Sequence, residues 1–82
     1  MNTKLPPVYV KWIDSNGGHG WSTLDWIKDN ISFSICESIG YLLKEDVDYI
    51  LLVQSIDDNE HGDNFIAIYK TSILEQRPLR FK

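Results

Sequence analysis

The chain is poor in cysteine, in long apolar runs and in positive charge, and each shortage closes off a class of protein. A single cysteine, Cys36, has no partner for an internal disulfide, so the covalent framework that stabilises small secreted domains is missing. No apolar run approaches the roughly 20 residues that span a bilayer. The first residues also lack the basic-then-apolar layout of a secretory signal. These absences predict a soluble cytoplasmic protein. Lys and Arg number 8 against 12 Asp and Glu, for a net charge of −4, which works against anionic membranes and against nucleic-acid polymers, whose binding depends on general electrostatic attraction. There is no internal repeat, low-complexity stretch or linker, and residues 1–82 are expected to form one domain around one small core.

What is present points to a folded chain. Hydrophobic residues make up 43% of the sequence, three of them tryptophan, a content that disordered segments do not reach. Charge is unevenly placed. Between Glu45 and Asp63 every ionised side chain is acidic, whereas Lys70, Arg77, Arg80 and Lys82 make the C-terminal end basic.

Periodicity predicts an all-β protein. Residues 8–13 are β-branched and aromatic and follow Pro6 and Pro7, which suits a first strand. Ser22-Thr23-Leu24-Asp25 resembles a capping box and predicts at most one short helical turn. From residue 31 to 43, Ile31, Phe33, Ile35, Ile39, Tyr41 and Leu43 alternate with Ser32, Ser34, Cys36, Ser38 and Gly40. That alternation predicts a long strand whose apolar side is buried, bent at Gly40. Residues 49–56 are apolar at nearly every position and read as a strand covered on both faces. Another strand follows at 65–70. Thr71-Ser72 then make a tight corner, with Ile73, Leu74 and Leu79 closing the core. Four to five bent strands predict a small bent antiparallel sheet or open barrel, SH3-like or Sm-like. Exposed strand edges and many aromatics make self-association into a symmetric homo-oligomer the expected state.

The segment richest in recognition chemistry is the glycine loop between Trp12 and Trp21. Gly17, Gly18, His19 and Gly20, with Asp14 and Ser15 just before them and Trp21 just after, offer backbone N–H groups and an aromatic face to a small anionic, planar ligand. A plain connecting loop is the alternative. The loop has neither the Lys-Ser/Thr of a P-loop nor a dinucleotide fingerprint. His19 lies near Asp14 and Ser15 in sequence, but a loop with so many glycines does not hold a catalytic set, so no enzyme activity and no cofactor are expected. In residues 57–63, Asp57, Asn59 and Gly62 take the first, third and sixth places of a calcium loop, yet the twelfth falls on Ile68, and no metal is expected. Glu37 is the one charge on the apolar side of the long alternation, which predicts a bulge turning it outward or a polar cavity receiving it.

Trp12-x-Asp14-Ser15, Gly20-Trp21, Cys36-x-Ser38-Ile39-Gly40-Tyr41-Leu42 and Lys70-x-Ser72-Ile73 together resemble a group of small tailed-phage and prophage accessory proteins. Members tend to carry a proline where Tyr69 stands here. The resemblance implies a phage protein acting in the bacterial host cytoplasm. It further implies an anti-defence role, either by sequestering a small nucleotide-derived signal, for which Trp21 and the loop would form the site, or by inhibiting a host protein.

Overall fold

The computed structural model of the chain describes residues 5–15 and 17–80; Asn16 of the glycine loop and Lys82 of the basic end lie outside them. The elements are β1 (Pro7–Ser15), α1 (Leu24–Asp29), β2 (Phe33–Glu45), β3 (Tyr49–Ile56), β4 (Gly62–Tyr69), a 3-10 turn (Lys70–Ser72) and β5 (Ile73–Pro78). One antiparallel sheet takes the order β4-β3-β2-β1-β5. It is small, bent and open, as the SH3-like or Sm-like reading expects. The 3-10 turn supplies the tight corner between β4 and β5. Five strands agree with the four to five expected, but the place of the fifth was not legible because Glu75, Gln76 and Arg77 give residues 73–78 no apolar run.

Register explains how the core forms. Val8, Val10 and Trp12 of β1 stand opposite Gly40, Ser38 and Cys36 of β2. Large side chains on one strand therefore lie beside small ones on the next. Val8, Val10, Ile50, Leu52 and Ile68 are buried as one cluster, with Trp12, Leu42 and Ile73 packed against it. The Trp12 Nε1–H donates to Ser38 Oγ at 3.0 Å, which satisfies the indole while its rings cover the core.

The consequence for β2 reverses an expectation. Its small residues face the core, and its apolar alternation, Phe33, Ile35, Ile39, Tyr41 and Leu43, faces solvent. Glu37 sits exposed on that same outward face, in regular register opposite Lys11, so no bulge turns it outward. The irregularity in β2 lies between Leu42 and Lys44, three residues beyond the expected bend. Gly40 serves close approach instead: an added Cβ would lie 3.1 Å from the Val53 carbonyl oxygen. β3 is covered as expected at Ile50, Leu52 and Val53, whereas Leu74 is exposed and does not close the core.

The molecule is long for its size. Its extents are 54 × 25 × 25 Å and its radius of gyration is 16.5 Å, against about 12 Å for a compact domain of this length. β3 pairs with β2 only from Tyr41 to Glu45, while β1 pairs with β2 back to Phe33. The β1–β2 ribbon therefore runs out beyond the core, with the glycine loop and α1 at its tip. Among the described residues no helix is long and apolar enough to cross a membrane.

Candidate functional site

The tip of the ribbon is organised by local hydrogen bonds. Thr23, one residue later than the expected cap, accepts the Trp26 N–H on its Oγ1 at 3.1 Å. Asn30 closes the other end, donating from Nδ2 to the Trp26 carbonyl at 2.7 Å. Asp25 in the first turn and Lys28 in the last match the helix dipole. Gly20 has φ +98°, a conformation that side chains beyond glycine rarely adopt, and it turns the chain from the loop toward α1.

Between loop and helix lies an open cleft of about 330 Å³. Gly17, Gly18, His19 and Gly20 line one side, and Trp26, Ile27, Asn30 and Ile31 line the other. Trp21 does not line it; its side chain stands free in solvent at 104% exposure. Asp14 and Ser15 end β1 and lie outside the lining. Among the described residues no hydrogen bond joins His19 to either of them. The ring that the sequence reading overlooked is Trp26, brought to the cleft by the cap at Thr23, three residues before it. The lining holds an imidazole, hydroxyls and a carboxamide, with no Lys, Arg, Asp or Glu.

Two polar arrangements lie elsewhere on the sheet. Tyr9 Oη donates to Glu37 Oε2 at 2.6 Å, and the Arg77 guanidinium lies 4.5 Å from the Tyr9 ring centroid. The Glu37 carboxylate raises the Tyr9 pKa above its ordinary 10.0. In the β3–β4 loop, Asp57 Oδ1 accepts from the N–H groups of Asn59 and His61 at 2.9 and 2.7 Å. Those amides, the His61 one foremost, hold the Asp57 pKa below its ordinary 3.8. The carboxylate thus closes its own loop, aided by Glu60 at φ 63°. Among the described residues no group of three His, Cys, Asp or Glu is gathered to hold a metal ion.

A second, shallower groove of about 260 Å³ lies where the two ribbons part, lined by Ser38, Ile39, Leu52, Gln54, Asn64, Phe65 and Ile66. Comparison with protein families, with curated proteins and with solved structures finds no match to this chain.

Proposed function

We propose that this chain is a non-catalytic binding protein whose arm, residues 17–35, docks on another protein. One observation carries the reading: every residue of that arm is exposed, with Trp21, Leu24, Trp26, Ile27, Ile31, Phe33 and Ile35 among the large apolar side chains left in water. Covering such a side chain contributes about 1.5–3 kcal/mol, and tryptophans supply much of the energy at protein interfaces. None of the residues of α1 is buried, and a helix this short is not stable by itself in water. A partner surface orders the helix and hides its rings in one step.

Charge defines the partner further. Asp25 and Asp29 outnumber Lys28 on the arm, Asp14 lies just before it, and the β3–β4 loop adds Asp57, Asp58, Glu60 and Asp63. An apolar cleft with a basic rim fits these surfaces. In the setting implied by the phage resemblance, the partner is a host defence protein in the bacterial cytoplasm, and binding inhibits it.

A second reading, capture of a nucleotide-derived signal, rests on the cleft between the glycine loop and Trp26. That cleft offers a ring and backbone N–H groups, but an anionic ligand needs cations that the lining lacks, so a second subunit has to bring them.

Retention from a defence-active bacterial lysate separates the two readings. The protein is expected to retain a host protein that the Trp21→Ala/Trp26→Ala variant loses, with the variant's melting temperature unchanged. Equal retention by both, or recovery of an intact nucleotide with no protein, contradicts docking through the arm. A cleaved nucleotide contradicts the non-catalytic reading.

A further inference from the structure

We infer that the outward stripe of β2 is the interface of a two-fold symmetric dimer, with its axis at Glu37. The stripe reads Phe33, Ile35, Glu37, Ile39, Tyr41: aromatic, aliphatic, Glu, aliphatic, aromatic. It is the same pattern in both directions. A surface that is self-complementary about its own centre is what an isologous contact requires, and a second copy is therefore the occupant.

Two stacked sheets with antiparallel β2 strands set Phe33 against Tyr41 of the second copy and Ile35 against its Ile39. Sheets packed face to face interdigitate such side chains across about 10 Å. Ile35 and Ile39 are 63% and 58% exposed, so neither is needed for the fold of one chain.

Area and charge agree. The chain exposes 6869 Å², whereas a compact protein of 9.5 kDa exposes about 5,000 Å². That surplus, which includes the arm, leaves room for the about 800 Å² that each partner contributes to a standard interface. At the centre of the stripe the charged row carries both signs, Glu75, Lys11 and Glu37 standing side by side across β5, β1 and β2. The Glu37 carboxylate is already bonded by the Tyr9 hydroxyl. The row carries one net negative charge against −4 for the chain, and the axis brings Lys11 of each copy diagonally across from Glu37 of the other.

The stripe shares Phe33 and Ile35 with the base of the arm but not Trp21, Leu24, Trp26, Ile27 or Ile31, so Trp21→Ala/Trp26→Ala tests docking of the arm while Ile39→Lys tests the dimer. Light scattering at micromolar concentration tests the dimer, with circular dichroism confirming that each variant folds. The unsubstituted protein is expected at twice its 9.5 kDa chain mass. Ile35→Glu and Ile39→Lys are each expected to give monomers. Because the axis sets residue 35 against residue 39 of the copy, the double variant Ile35→Glu/Ile39→Lys is expected to recover the dimer through opposite charges. An unsubstituted monomer or larger ring, single variants that stay dimeric, or a folded double variant that stays monomeric would overturn the assignment.

Discussion

Trp12 and Ser38 are diagonal neighbours across the β1–β2 ladder, Trp12 standing opposite Cys36 and Ser38 opposite Val10, and the indole N–H donates to the serine hydroxyl at 3.0 Å. This pair sets the rule for the whole ladder: β1 fills the core side with bulk, and β2 leaves room for it.

Ser38→Ala leaves the half-buried indole N–H without its acceptor and is expected to cost about 1–2 kcal/mol. Ser38→Leu puts a large side chain where Trp12 and Val10 already pack and is expected to cost about 1–3 kcal/mol or more. Urea denaturation of both variants checks the magnitudes.

Gly40→Ala is expected to destabilise by about 1–3 kcal/mol, because the new Cβ meets backbone, the Val53 carbonyl oxygen at 3.1 Å, and backbone in a ladder does not yield as a flexible side chain does. Thermal unfolding measures the loss. Glycines 17 and 18 have nothing within 4 Å of such a Cβ, so the same substitution there is expected to leave the melting temperature within a degree or two of the unsubstituted protein, about the scatter of neutral surface changes.

Much of the architecture was legible in the chain. Alternation, β-branched runs and polar turns placed the strands, and the residues before α1 announced a short helix. The orientation of β2 was not legible, since periodicity says which residues share a face and not which face is inside. The deciding signal was pairwise: Gly40, Ser38 and Cys36 are small because Val8, Val10 and Trp12 stand beside them, and that relation appears only once the register is known. The candidate site was half visible. The glycine loop was found, but the ring lining its cleft is Trp26, because helix phase and the Thr23 cap turn Trp26 inward and leave Trp21 outside.

Asp57 gives the β3–β4 loop a pH dependence. Its pKa is depressed in the folded chain by the His61 and Asn59 amides, so its contribution is complete above the ordinary carboxylate value of 3.8 and is lost as pH falls through the lower folded value. The stability difference between the unsubstituted protein and Asp57→Ala is expected to be flat near neutral pH and to shrink in acid. Denaturant titrations across that range test the sign, and a difference that grows in acid would contradict it.

Docking through the arm makes Trp21 and Trp26 the dominant contacts. Each alanine substitution is expected to weaken partner binding by about 2 kcal/mol, roughly 30-fold, as interface tryptophans typically do. His19→Ala, which removes no large apolar surface, is expected to change affinity less than threefold, within about 0.6 kcal/mol. Calorimetry with the captured partner distinguishes the three variants.

The central claim is that the arm meets another protein, and photo-crosslinking from its most exposed ring tests it most directly. A photoreactive aromatic residue replaces Trp21, with a control probe at Val47, an exposed residue in the β2–β3 turn, and both variants are irradiated in defence-active bacterial cells. The account predicts one host protein crosslinked from position 21 and absent from position 47. Equal labelling from both positions, or no protein adduct from position 21, would contradict it.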